Sequence, residues 1–211
     1  MKNKILVTVV SLVLLLCGHA IAQNANGVPD VYYTPLKATG GLKLGANFGM
    51  MNGKEAFTNS YNEGVKGGVY IGSRNEYLGV KCELLLSSSR FSLQDTFQNG
   101  GHLSNFNLDV PVMLDVKVIP ILWAQLGLQY STLIASTQDP SGNEDPKTWF
   151  QTRNFSVLAG LECKVYKNFV LGARYVYGLT DIKSPKQPYI AALPSAWKNS
   201  TIETYLAFKV F

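Results

Sequence analysis

Residues 105–118 of the 211-residue chain read NFNLDVPVMLDVKV. Every second side chain from Phe106 to Val118 is apolar, and the side chains between them are polar except at Pro111 and Met113. Successive side chains of a β-strand point to opposite faces, so this period of two predicts a strand with one apolar and one polar face. Because proline lacks the amide hydrogen that a strand ladder uses, we expect a bulge or local kink at Pro111.

Seven further runs alternate in the same way. They span residues 42–48, 65–72, 78–86, 122–131, 154–165, 169–178 and 202–210. The connections after the second, fourth and sixth runs are very short, whereas those after the first, third, fifth and seventh runs are long and polar. Transmembrane barrels combine an even strand number with short periplasmic turns and long extracellular loops. The sequence therefore predicts an all-β fold: an eight-stranded antiparallel up-and-down transmembrane β-barrel.

The alternation alone leaves open which face lies inside. A soluble lipocalin-like carrier of a small hydrophobic ligand would bury the apolar face instead. Glycines concentrate on the polar face, where small residues leave room for long side chains inside a narrow barrel, and this favours the apolar face outside. Aromatic residues near the ends of the apolar spans suggest the belts found at membrane interfaces. These residues are Phe48, Trp123, Trp149, Phe150, Tyr166, Phe169, Tyr177, Trp197 and Phe211.

The polar face also carries charges of both signs. Charges inside a barrel must be paired, because an isolated buried charge is strongly destabilising. We predict an interior polar network formed by Lys43, Lys66, Lys81, Glu83, Asp109, Glu162, Arg174 and Glu203. Since side chains fill the interior of an eight-stranded barrel, a general porin is disfavoured.

The N-terminus has the features of a secretory signal peptide. Lys2 and Lys4 precede the apolar residues 5–16, and Ala22 ends a small-residue cleavage site. We expect residues 1–22 to be the signal peptide, residues 23–40 an N-terminal periplasmic segment and residues 41–211 the barrel of the outer membrane. Loss of two lysines with the signal lowers the formal net charge from +5 to +3, so no nucleic-acid partner is expected.

His102 is the one histidine beyond the predicted signal peptide, and it stands two residues before Ser104. The sequence His-Leu-Ser-Asn is similar to a motif of outer-membrane lipid A deacylases. Residues two apart on a strand share a face, so His102 could activate Ser104 as a nucleophile. A third, acidic group is not evident, and both residue types are common at loop ends. We therefore expect a non-enzymatic protein, with a deacylase-like hydrolase using His102 and Ser104 as the alternative.

Three segments resemble the PorT-like outer-membrane β-barrel family: GLKLGAN at residues 41–47, LDVPV at 108–112 and RYVYGLTDI at 174–182. The resemblance implies an eight-stranded barrel in a Gram-negative outer membrane, with a structural or partner-binding role that in some members is linked to secretion. It supplies no catalytic residues. One departure concerns Phe211, which shares a face with Lys209 instead of with the apolar residues of the last run.

The expected partners follow from this location. They are outer-membrane lipids and lipopolysaccharide, the barrel assembly machinery during insertion, and an unknown envelope or extracellular protein. We expect a monomer. No phosphate-binding loop or zinc-ligand spacing occurs in the sequence, so neither a cofactor nor a metal is expected.

Overall fold

Eight strands form one closed antiparallel barrel, in which each strand pairs with its sequence neighbours and β8 closes the sheet on β1. The computed structural model describes residues 36–52, 62–93, 101–139, 146–184 and 196–211. The strands are β1 (Lys37–Asn52), β2 (Asn62–Arg74), β3 (Leu78–Leu93), β4 (Gly101–Ile119), β5 (Leu122–Asp139), β6 (Arg153–Tyr166), β7 (Phe169–Gly178) and β8 (Lys198–Lys209). The predicted eight-stranded up-and-down barrel is confirmed.

The described part of the chain begins at Leu36. The predicted signal peptide at residues 1–22 lies outside the described residues, as does most of the predicted segment at residues 23–40. Strand β1 begins at Lys37, four residues before the predicted start of the barrel at Gly41. Within the described residues, no helix is long and apolar enough to cross a membrane.

The connections separate the barrel into two different ends. Residues 75–77, 120–121 and 167–168 form short turns at one end, and the long connections lie at the other. The side chain of Asn75 stabilises the first turn, because its Oδ1 accepts hydrogen bonds from the amides of Tyr77 and Leu78 at 2.8 and 2.7 Å. A 3-10 helix, Pro146–Trp149, lies in the connection between β5 and β6.

The apolar face of the sheet points outward. Leu44 is 70% exposed and Leu126 65% exposed, whereas their inward-facing neighbours Lys43 and Gln125 are each 3% exposed. An outer surface of leucine, valine and isoleucine is the surface that a lipid bilayer requires. The lipocalin-like interpretation is therefore wrong, because it would place this face inside the barrel.

Inward-facing glycines allow close approach of large side chains in the lumen. A Cβ atom added to Gly172 would lie 2.2 Å from Cζ of Tyr205, and one added to Gly45 would lie 2.8 Å from Cβ of the same tyrosine. Both distances are shorter than van der Waals contact. The glycines of β1 and β7 thus make the space that the Tyr205 ring of β8 occupies.

Of the two irregularities predicted at Pro111, a bulge or a local kink, the bulge is wrong. Pro111 pairs with Gln129 of β5 in unbroken register, and the register shift of this strand pair lies between Phe106 and Asn107 instead. On the other side, the pairing of β4 with β3 is interrupted opposite Pro111 and resumes in the same register at Leu85. The ladder tolerates the missing amide donor by a local gap, so no extra residue is needed.

The C-terminus leaves the alternation just before Phe211. Strand β8 ends at Lys209, and the amide of Val210 donates a hydrogen bond to the carbonyl oxygen of Gly40 at 2.8 Å. Phe211 is exposed. Because Phe211 lies beyond the strand, its odd position in the sequence pattern does not direct it into the lumen.

Candidate functional site

Six charged side chains form an ion-pair cluster around Arg174 in the middle of the lumen. The Arg174 cluster consists of Lys43, Lys66, Glu83, Asp109, Arg174 and Glu203. Arg174 Nη1 donates a hydrogen bond to Glu83 at 2.9 Å, and its Nε donates one to Glu203. Lys43 Nζ also donates to Glu83, at 2.7 Å, and Lys66 Nζ bonds Glu203. Each carboxylate on Arg174 is therefore shared with a lysine.

A second cluster lies around Arg74, nearer the short-turn end. The Arg74 cluster consists of Arg74, Lys81, Asp115 and Glu162. Lys81 Nζ donates to Glu162 at 2.6 Å and lies 3.2 Å from Asp115 Oδ2. The Arg74 guanidinium bonds Asp115 and lies 4.1 Å from the centre of the Trp123 ring, a cation–π contact.

Tyr205 connects the two clusters. Lys43 Nζ of the Arg174 cluster lies 3.3 Å from the centre of the Tyr205 ring. The Tyr205 hydroxyl lies 3.0 Å from Glu162 Oε1 of the Arg74 cluster and 2.7 Å from Gln125 Oε1. Gln125 Nε2 in turn donates a hydrogen bond to Asp115 at 2.9 Å. The polar side chains thus form one connected network across the lumen.

The network is electrically balanced. The two clusters together contain five cations and five carboxylates, and all are buried except Arg74, whose side chain is 23% exposed. Paired charges of this kind can remain ionised in a buried environment, whereas removal of one partner leaves an uncompensated charge. The middle of the lumen is therefore filled with ordered charge pairs.

All eight residues of the predicted interior network lie in these two clusters. The sequence prediction omitted Arg74 and Asp115 from the network, and it omitted Tyr205, which connects the clusters. Arg74 stood in a predicted turn, so its inward direction had no periodic signal. Asp115 stood on the polar face of the strongest run, which was a sufficient signal for including it.

The long-loop end of the lumen is closed by an apolar cluster, here called the aromatic cap. Its buried members are Phe91, Leu103, Leu133, Trp149, Phe150, Ile182 and Trp197. Backbone hydrogen bonds hold two connections in this cap: Ser184 N donates to Trp149 O at 2.8 Å and so joins the β7–β8 connection to the β5–β6 connection, and Ile182 N donates to Trp197 O at 2.9 Å within the β7–β8 connection. Loop segments therefore fold over the barrel opening and pack on its inward-facing residues.

The predicted aromatic belts are only partly correct. Phe48, Tyr166, Phe169, Tyr177 and Phe211 are exposed on the outside. Trp149 and Trp197 are fully buried in the aromatic cap, and Phe150 lies beside them with its ring 5.8 Å from that of Trp197. Trp123 is buried against Arg74. Trp149, Phe150 and Trp197 lie inside because the loop segments fold over the barrel opening. Trp123 lies inside because it occupies an inward-facing position of β5.

A polar cavity lies between the aromatic cap and the Arg174 cluster. Its volume of about 70 Å³ has room for about five water molecules. Asn47 Oδ1 and Gln129 Oε1 line it and, among the described residues, have no protein hydrogen-bond partner. Water in the cavity would satisfy these two oxygens.

His102 and Ser104 lie on the outer face at the long-loop end of β4, but the hydrogen-bond partner of His102 is a different serine. Nδ1 of His102 and the hydroxyl oxygen of Ser92 lie 3.5 Å apart. In the sheet register, His102 stands between Ser92 of β3 and Asp139 of β5. The predicted pairing of His102 with Ser104 is therefore not the contact that the fold makes.

The whole arrangement identifies the class of protein. Residues 21–184 match the family described as outer membrane protein beta-barrel domain. The chain belongs to this family. The protein lies in the cell outer membrane, with its short turns in the periplasm and its long connections outside the cell.

Solved structures show the same fold. The attachment invasion locus protein Ail of Yersinia pestis, in complex with the heparin analogue sucrose octasulfate, has 12% sequence identity and a TM-score of 0.50, and the match covers 82% of this chain and 99% of Ail. Neisserial surface protein A has 15% identity and a TM-score of 0.50, with 82% of this chain and 98% of that chain covered. No curated protein sequence matches the chain.

Proposed function

We propose that this barrel is a structural or partner-binding protein of the outer membrane, neither a general porin nor an enzyme. The observation that carries the proposal is the double closure of the lumen, by the charge network in its middle and by the aromatic cap at its extracellular end. A solute would have to displace both. Binding is then left to the two ends of the barrel and to its lipid-facing surface.

The finer role rests on the resemblance to PorT-like barrels. That resemblance supports an accessory role in secretion or in the envelope, carried out by a monomer in contact with outer-membrane lipids and lipopolysaccharide. The assembly machinery inserts the barrel, and an envelope or extracellular protein is its functional partner.

Conductance in planar bilayers tests the closed lumen. We expect the barrel, purified from outer membranes and inserted in a bilayer, to add no stable conductance steps. A sixteen-stranded porin, which leaves an aqueous channel, is the positive control in the same bilayer. Steady ion conductance by the unmodified protein would overturn the proposal.

A hydrolase at the extracellular rim is the second candidate function. The sheet register favours it, because the backbone of His102 pairs with Ser92 on one side and with Asp139 on the other, and serine, histidine and aspartate are the residue types of a serine hydrolase triad. Ser92 would replace Ser104 as the nucleophile. We expect neither Ser92→Ala nor Ser104→Ala to change the acylation of lipid A. A loss of deacylation with Ser92→Ala alone would establish the hydrolase.

A further inference from the structure

The periplasmic opening of the barrel is surrounded by cations. On five of the eight strands, the last inward-facing position of the regular ladder at this end holds a lysine or an arginine. We call these side chains the cation ring: Lys37, Arg74, Lys117, Lys164 and Lys209. The other three strands have Gly79, Trp123 and Val170 at this level. A sixth cation, Lys167, stands in the turn between β6 and β7.

The positive charge of this ring is not balanced. Two acids of the described residues line the opening, and one of them, Glu162, is already bonded to Lys81 and Arg74. The other, Glu76, is half-exposed and lies 3.9 Å from Lys117. Arg74, Lys164 and Lys37 of the ring each add to the positive potential at Lys209. Within the described ranges, no acid forms a salt bridge with Lys164, Lys167 or Lys209.

The cation ring carries net positive charge, whereas the ion-pair network in the middle of the lumen is neutral. Like charges around a concave opening with low-dielectric walls produce a focused positive potential, and rings of lysine and arginine select anions. The opening encloses a cavity of about 270 Å³, which has room for roughly twenty water molecules. An anionic group can enter this space.

The shape of the opening limits the kind of anion. All members of the cation ring except Lys37 line the cavity of the opening, so the strands stand between these side chains and the headgroups of membrane lipids. An eight-stranded barrel is narrow, so a folded domain cannot enter it. An extended peptide with carboxylate side chains is narrow enough, and Trp123 and Val170 offer apolar contacts to its aliphatic carbons.

We propose that the periplasmic opening is a docking site for an acidic peptide segment of a partner protein. The proposal rests on the partner-binding function proposed above and gives the chemistry of that partner. Carboxylates of the segment bind Lys164, Lys167 and Lys209, which line the opening and form no salt bridge with an acid among the described residues. Arg74 remains held by Asp115, Glu162 and the Trp123 ring, and it contributes to the potential.

Binding of a labelled hexaglutamate peptide to the intact barrel in detergent micelles tests the proposal. We expect the peptide to bind with an affinity that falls as salt is added, and hexaglutamine to show no binding. Lys164→Gln combined with Lys209→Gln should weaken hexaglutamate binding by about threefold to thirtyfold, as expected for two partly exposed ion pairs.

The matched control is Arg153→Gln combined with Lys198→Gln, which removes two cations from the extracellular ends of β6 and β8, the strands that carry Lys164 and Lys209. It should leave binding unchanged. The heat-dependent gel shift of folded barrels verifies that both variants fold. Equal weakening in both variants, absence of hexaglutamate binding, or displacement of the peptide by equimolar inorganic phosphate would overturn the proposal. The peptide-binding assay and the conductance assay have independent outcomes. Failure of this proposal can therefore be distinguished from failure of the proposed closed lumen.

Discussion

Arg174 of β7 donates a hydrogen bond to Glu83 of β3 at 2.9 Å, across the full width of the lumen. Strands β3 and β7 are four strands apart in a ring of eight, which is the largest separation the barrel allows. A single side-chain pair therefore joins opposite walls. The same Arg174 bonds Glu203 of the neighbouring strand β8.

Arg174→Leu should destabilise the barrel strongly. The substitution leaves Glu83 and Glu203 each with only a lysine partner, and breaking a buried ion pair from one side costs about 3 to 5 kcal/mol. The free energy of unfolding in lipid vesicles, from urea titration, measures the effect. Arg153→Leu, at the exposed start of β6, is the control and should change stability little. An unchanged unfolding midpoint for Arg174→Leu would show that the network contributes nothing to stability.

Gly172→Ala should destabilise the barrel by about 1 to 3 kcal/mol, the usual cost of forcing extra atoms into a packed interior. The new Cβ would lie 2.2 Å from the Tyr205 ring, so the ring and its contacts with Glu162 and Gln125 must shift. Gly67→Ala is the control, because its Cβ would meet the outward side chain of Leu44 at 3.3 Å. Urea unfolding compares the two variants. Equal stability of both would mean that the Tyr205 position is not constrained by Gly172.

Trp197→Ala should lower the free energy of unfolding by about 3 to 5 kcal/mol, since it leaves a cavity in the fully buried aromatic cap. The variant should still add no conductance to a planar bilayer, because the charge network continues to fill the middle of the lumen. Leu179→Ala, a half-exposed leucine of the same connection, is the control for stability. Stable conductance of Trp197→Ala would show that the cap alone seals the barrel.

Leu128→Arg should destabilise the barrel by about 2 to 4 kcal/mol in lipid, the cost of an arginine on the lipid-facing side near the bilayer midplane. Leu128 is an exposed outward residue well inside β5. Val210→Arg lies at the periplasmic end, where the cost falls to about 0 to 1 kcal/mol. Unfolding in vesicles of the two variants measures the difference. Similar values would mean that Leu128 is not in the hydrocarbon region.

Much of the fold could be predicted from the local pattern of the sequence. Alternation of side chains is a property of single strands, so residues 105–118 predicted their own strand and its two faces without any knowledge of its partners. Connection lengths then distinguished the two ends of the barrel. For the same reason, the direction of Lys43, Glu83 and Arg174 into the lumen could be predicted from their positions in the alternating pattern of their strands.

Pairing between distant strands could not be predicted in this way. Alternation along a strand determines whether a side chain points into the lumen. Its position along the barrel axis relative to a partner depends on the register of every strand between them. From the sequence, Glu162 and Glu83 were equally plausible partners of Arg174. In the closed barrel, Arg174 bonds Glu83 and Lys81 bonds Glu162.

The sequence by itself determined the strands, their faces and the membrane location, because these depend on a period of two and on connection lengths. Only the tertiary structure decided that Trp149 and Trp197 close the lumen and that five strands end in a ring of cations at the periplasmic opening. Loop residues carry no periodic signal, and the ends of separate strands become neighbours only when the sheet closes on itself.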